Sequence, residues 1–125
     1  KFSKLDVADA FMSLKCTDNF CKAMTLNTPS HGLVQPTRAQ YGVASIPAIW
    51  QRKMESVLQD LDCAICFFDD ILVFANSELG MVRALEDTFE KIHKSGLKLR
   101  KSKCEFLLDQ IQFLGHTIDS DGLHC

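Results

Sequence analysis

Along this chain the spacing of hydrophobic and polar positions changes several times, and each change marks an element. Residues 2–7, Phe-Ser-Lys-Leu-Asp-Val, read as a short strand. Residues 8–14 pass from polar to apolar without a clear period. Residues 22–28 and 33–38 flank Pro29-Ser30-His31-Gly32, a turn signal, and predict a hairpin. From Ser45 the period lengthens. Ile46, Ile49, Trp50, Met54, Val57, Leu58 and Leu61 recur at three- and four-residue steps, which predicts a helix capped by Ser45 with Pro47 in its first turn. Residues 64–68 and 71–75 are continuous apolar runs and read as strands. A second helix is expected over about 77–95, capped by Asn76 or Ser77, with Leu79, Val82, Leu85, Phe89 and Ile92 facing the core. Residues 105–108 and 111–118, separated by Asp109-Gln110, predict a closing hairpin. The order of elements is that of an α+β fold.

Composition narrows the class. With 125 residues, 46% hydrophobic and 24% charged, the chain has the make-up of one globular domain and can bury a core. Its longest apolar runs are too short to cross a bilayer, so no membrane partner is expected. The first residues already read as a strand, with no initiating Met and no leader. The chain is therefore expected to be a piece of a longer polypeptide.

The net charge of −2 conceals an uneven distribution. Lys91, Lys94, Lys98, Arg100, Lys101 and Lys103 form a basic stripe without an acid among them, and the rest of the chain is correspondingly acidic. Such a stripe suits phosphates; it equally suits the C-terminal end of a helix terminated at Gly96. The six cysteines point to reduced thiols. Cys63 and Cys66 are spaced C-x-x-C, but apolar strand residues surround them instead of a zinc-binding loop, and no second pair follows.

One segment breaks the pattern: Phe67-Phe68-Asp69-Asp70-Ile71-Leu72-Val73-Phe74. Two adjacent carboxylates among apolar residues must be solvated at a turn or neutralised by a divalent cation, for which carboxylate oxygens are natural ligands. A turn with neither glycine nor Asn-Gly between such strands is poor turn chemistry, which favours the cation. Asp6, at the end of the first strand, would supply a third carboxylate if that strand lay beside the hairpin.

In sequence order, the motifs resemble the palm of a reverse transcriptase of the kind encoded by gypsy-class long-terminal-repeat retrotransposons and retroviruses. Phe2 to Val7 with Ala10-Phe11 is similar to the family's first carboxylate motif, and Lys22-Ala23-Met24-Thr25 with His31-Gly32-Leu33 to the hairpin after it. Tyr41-Gly42-Val43, Pro47-Ala48 and Gln51 resemble the nucleotide- and template-contacting turn and helix. Phe67 to Phe74 resembles the aromatic-x-Asp-Asp hairpin. Lys98-Leu99, Ser102 to Phe106, and Phe113-Leu114-Gly115-His116 resemble the closing motifs that end in the primer grip.

The resemblance implies a polymerase palm, an antiparallel sheet packed on two helices with a terminal, primer-grip-like hairpin, occupying residues 1–125. Part of the fingers, the thumb and RNase H would lie elsewhere in a Pol polyprotein. It implies Asp6, Asp69 and Asp70 as catalytic metal ligands for two Mg²⁺ ions, with Mn²⁺ as an alternative. Val7, Ala10, Phe11, Tyr41 and Gly42 would bind the incoming dNTP, with Phe11 as a steric gate against ribose. Backbone N–H groups around residues 8–10 would cradle phosphate oxygens. Phe67, Gly115 and His116 would touch nucleic acid, and Lys103 would act as general acid toward pyrophosphate.

The implied partners are an RNA or DNA template with its primer, and the remainder of the polyprotein. The implied location is intracellular, in a cytoplasmic virus-like particle or the nucleus, not secreted. Three features depart from the family pattern: Phe67 replaces the usual Tyr, Ala39-Gln40 stands where Leu-Pro is usual, and Pro36 falls where a strand residue is common. They leave open an inactive retroelement-derived remnant acting as a folding or interaction module, and an unrelated metal-binding α+β domain is the further alternative.

Overall fold

The computed structural model describes residues 1–10, 14–38 and 44–125. Its centre is a four-stranded antiparallel sheet. β4 (Ala64–Phe67) pairs with β5 (Asp70–Phe74), β5 with β1 (Phe2–Asp6), and β1 with β6 (Glu105–Leu108). β1 alternates half-buried and buried positions, so one set of side chains faces a covered side and the other an open side. Leu5, Val7, Ile71 and Val73 face two helices, α2 (Ile46–Leu58) and α3 (Glu78–Lys94), and join Trp50, Met54, Met81 and Ile92 in the main core. This is the expected antiparallel sheet on two helices.

Both long helices form where the periodicity places them, with two corrections. Ser45 precedes α2 but makes no side-chain cap, because its backbone is already helical; Pro47 sits in the first turn. The buried face of α3 is Met81, Ala84, Leu85, Thr88 and Ile92, whereas Leu79, Val82 and Phe89 are exposed. Thr88 can be buried because its hydroxyl donates to the Ala84 carbonyl (2.7 Å), leaving Phe89 outside in edge contact with Phe106. Ser77 is the cap of α3, accepting from Gly80 N–H (3.0 Å), and Gly96 follows the helix in the left-handed region (φ 78°).

Elsewhere tertiary pairing overrides the local pattern. Residues 22–28 are not one strand: α1 (Asp18–Ala23), capped by the Thr17 hydroxyl, comes first, and the hairpin is only β2 (Leu26–Thr28) with β3 (Gly32–Val34). Pro36 lies beyond the end of β3, so no ladder bond is lost there.

The closing segment is not one hairpin either. β6 leaves to pair with β1, while β7 (Ile111–Phe113), β8 (His116–Asp119) and β9 (Gly122–His124) form a separate three-stranded sheet. Asp109 does not turn a hairpin; it pairs with Lys1 Nζ. The small sheet packs Ile111 and Phe113 on Leu72, against the face opposite the helices, and so covers one end of the open side. Among the described residues no helix is long and apolar enough to cross a membrane.

Candidate active site

The uncovered end of the open face carries the acids. Asp6 pairs with Asp70 across β1 and β5. Val7 N–H donates to the Asp69 carbonyl (2.8 Å), which makes Asp6 and Asp70 a non-hydrogen-bonded pair, the geometry in which facing side chains come closest. Like charges directly opposite each other destabilise a sheet. Asp69, exposed, follows Phe68 at the hairpin tip, and Phe67 pairs with Asp70 to close it.

The Asp70 carboxyl is held above its ordinary range by burial and by the charges of Asp69 and Asp6, against the pull of Lys4 and Lys103. Between its unfolded and folded pKa the folded chain binds more protons, so stability falls as pH rises through that window and stays lowered above it. Asp70→Asn should therefore stabilise the metal-free chain at neutral pH. The expected gain is about 0.5 kcal/mol or less after screening at this half-exposed position. A higher urea midpoint at neutral pH, vanishing below a pH of about 4, is the expected measurement.

Asp6 is half-buried, with its side chain 14% accessible. Its Oδ1 is buried without a hydrogen-bond partner, and the nearest cation, Arg100 Nη1, stands 4.0 Å away. A hard, unsatisfied anionic oxygen facing another carboxylate fits a divalent cation by donor chemistry. As the side chains stand, among the described residues no three His, Cys, Asp or Glu groups are gathered around one ion position. The strands bring the three carboxylates to one edge but do not draw them together.

The basic stripe divides in two. Lys91 and Lys94 sit in the last turns of α3 and pair with Asp60 (3.2 Å) and Glu90 (2.9 Å), which is the helix-end role. The rest runs alongside the acids. Ala8 N–H donates to the Lys98 carbonyl (2.8 Å), Val7 bridges Leu99, and Arg100 N–H donates to the Asp6 carbonyl (2.7 Å). Lys103 is exposed in a 3₁₀ turn, Lys101–Lys103, that follows directly. Composition alone could not divide the stripe; Lys4 and Arg100 at the acids were not foreseen.

Other expected residues are placed differently. Val7 has its side chain in the core and its N–H on Asp69, and of the backbone donors at residues 8–10 expected to cradle phosphate, Ala8 N–H is committed to the Lys98 carbonyl. Ala10 is buried. Phe11, Tyr41 and Gly42 lie outside the described residues. Gly115 lies with Leu114 in the β7–β8 turn of the small sheet, both at positive φ, and His116 opens β8 opposite Phe113. His116 Nδ1 is buried and lacks a partner.

Gln51, in the helix of the motif expected to contact nucleotide and template, turns its amide to the hairpin. Its Nε2 donates to the Cys66 carbonyl (2.8 Å) and its Oε1 accepts from Phe68 N–H (3.0 Å). Trp50 Nε1 donates to the Phe68 carbonyl. The Cys66 thiol is pushed up to about 12 by burial and by nearby Asp70, Glu55 and Asp69, and stays a protonated donor to that same carbonyl (3.3 Å). No cysteine is in a disulfide.

Comparison with known proteins agrees with this arrangement. Residues 1–118 match the family described as reverse transcriptase (RNA-dependent DNA polymerase). The retrovirus-related Pol polyprotein from transposon 297 of Drosophila melanogaster is 31% identical over 98% of the chain, which spans 12% of that polyprotein. The transposon Tf2-3 polyprotein of Schizosaccharomyces pombe is 27% identical over 97% of the chain, spanning 9% of its length. The chain thus covers about a tenth of these curated relatives.

Among solved structures, the foamy viral protease-reverse transcriptase in complex with an RNA/DNA hybrid superposes with a TM-score of 0.90. The identity is 20%, over 98% of this chain and 17% of that one. At that identity the likeness speaks for the fold. With the family match running from β1 through β8, the sheet that sets Asp6 against Asp70 is the one such proteins share, and the chain belongs to the reverse transcriptase family.

Proposed function

We propose that this chain is the catalytic palm of an RNA-directed DNA polymerase that adds dNTPs to a primer 3′-hydroxyl. The observation that carries the reading is the facing pair Asp6 and Asp70 with Asp69 at the adjoining tip, one oxygen of Asp6 buried and unsatisfied. Asp6, Asp69 and Asp70 would hold two Mg²⁺ ions, or Mn²⁺. Such ions, when bound, supply an activated hydroxyl and charge neutralisation at the triphosphate.

The chain's own groups do the rest. Arg100 and Lys4 limit the repulsion among the acids before a nucleotide arrives. Lys103, exposed beside them, is the proposed proton donor to pyrophosphate. Ala10, Phe11, Tyr41 and Gly42 are the proposed nucleotide-facing positions, with Phe11 excluding the ribose 2′-hydroxyl. Phe67, and Gly115 with His116 on the small sheet, are the proposed contacts to template and primer.

The structural relatives were solved with an RNA/DNA hybrid and with double-stranded DNA, which supports a template-primer partner. The relatives that are polyproteins support further Pol regions as neighbours of this chain. An intracellular particle or the nucleus follows as the proposed location. Primer extension on an RNA template, by a polyprotein containing this chain, tests the reading: incorporation should need a divalent metal and the paired acids.

A further inference from the structure

Phe68 has no local reason to adopt the backbone it has. The loop between β4 and β5 holds only Phe68 and Asp69, and Phe68 alone of the two has positive φ (54°). That sign pattern belongs to a II′ hairpin turn, whose first central residue is ordinarily glycine. A side chain there is strained, and this explains why the segment offers such poor turn chemistry.

Helix α2 supplies what the turn lacks. Gln51 bonds the outer edge of the entering strand like a neighbouring peptide group, donating to Cys66 O and accepting from Phe68 N–H. Glu55 Oε1 takes the second amide proton (3.3 Å), so the reverse amide orientation would lose all three bonds. Trp50, fully buried, donates to Phe68 O from the other side. The peptide groups on both sides of the Phe68 Cα are thus held by one helix, and the next two residues are the acids.

We propose that Gln51 and Trp50 are positioning residues. They hold Phe68 in its left-handed backbone and thereby set where Asp69 and Asp70 present their carboxylates to a divalent cation. This deepens the reading above and rests on it for the cation. The positioning act itself is a property of the metal-free chain.

Two readouts on the 125-residue chain separate the two claims: Mn²⁺ affinity, from paramagnetic water-proton relaxation, and amide hydrogen exchange at Phe68. In Gln51→Met, a near-isosteric change without amide bonds, Phe68 exchange should accelerate. Mn²⁺ should bind about tenfold more weakly, the factor a left-handed non-glycine residue costs when nothing holds it. Adding Phe68→Gly, which adopts positive φ without strain, should restore most of that loss. Trp50→Phe keeps a six-membered aromatic ring in the core, removes the pyrrole part of the indole with its N–H, and should weaken Mn²⁺ in the same direction.

Unchanged Phe68 exchange in Gln51→Met overturns the proposal, as does wild-type Mn²⁺ affinity in both Gln51→Met and Trp50→Phe. Failure of Phe68→Gly to recover binding overturns it too, since Gln51 would then act by general structure. If the wild-type chain binds no Mn²⁺, or binds it equally in Asp70→Asn, the metal reading fails instead. The exchange experiment then still decides whether Gln51 sets the turn.

Discussion

Replacing Asp69 and Asp70 together by asparagine should lower deoxynucleotide incorporation by on the order of a thousandfold, equivalent to roughly 4 kcal/mol of transition-state stabilisation. The measurement is single-turnover primer extension on an RNA template, using a polyprotein that contains this chain. The substitution keeps the size and shape of both side chains. The amide introduced in place of Asp70 would still face Asp6 across the sheet, and the hairpin would keep its bonds to Trp50 and Gln51, so template-primer affinity should change little. What is lost is anionic oxygen at the sheet edge that carries the three carboxylates. Because removing the Asp70 charge also relieves repulsion in the metal-free chain, the inactive variant should be at least as stable as the parent. Incorporation within tenfold of the parent would sink the assignment of these residues.

The parts of the molecule that were legible in the sequence are those with their own periodicity or their own anomaly. α2 announced itself through Ile46, Trp50, Met54 and Leu58, all of them buried. The β4–β5 hairpin announced itself through two acids where none should be. Elements shorter than a period could not be read this way: α1 is six residues, and the visible signal was the pair Thr17 and Asp18, a cap followed by an acid in the first turn.

Long-range pairing was the other blind spot. Residues 105–108 and 111–118 look like a hairpin in isolation, yet β6 pairs with a strand a hundred positions earlier. There Ser3 Oγ accepts from Leu107 N–H (3.1 Å), and Leu107 sits at positive φ beside an irregular register. No local pattern encodes that choice.

The same limit applied to the site. The identities of the three acids could be proposed from sequence, because carboxylates in an apolar setting are conspicuous. Their supports could not. Gln51 and Trp50 look like an ordinary polar position and a core aromatic, and only the fold shows that both reach the turn seventeen or eighteen residues later. The poor turn chemistry of Phe68-Asp69 was visible, but its resolution was tertiary. A sequence that violates a local rule at a functional site is expected to be supported from elsewhere in the fold.

Trp50 joins the two halves of this account, and its truncation should have the largest effect on stability. It is 0% exposed and packs in the main core with Met54 and the sheet, while its indole N–H meets the Phe68 carbonyl. Trp50→Ala removes that ring, leaves a cavity and takes the indole donor from the Phe68 carbonyl, and should cost about 3–5 kcal/mol. That is a large part of the stability of a typical domain, roughly 5–15 kcal/mol. Ile49→Ala, one residue earlier on the same helix, removes a side chain that is 48% exposed and should change stability by about 0.5 kcal/mol or less. Urea unfolding of the two variants, at unchanged slope, makes the comparison. A small effect at Trp50, or a cost at Ile49 approaching it, would mean that α2 is rotated from the face that places Gln51 on the hairpin. The same measurement would then count against the positioning of Asp69 and Asp70.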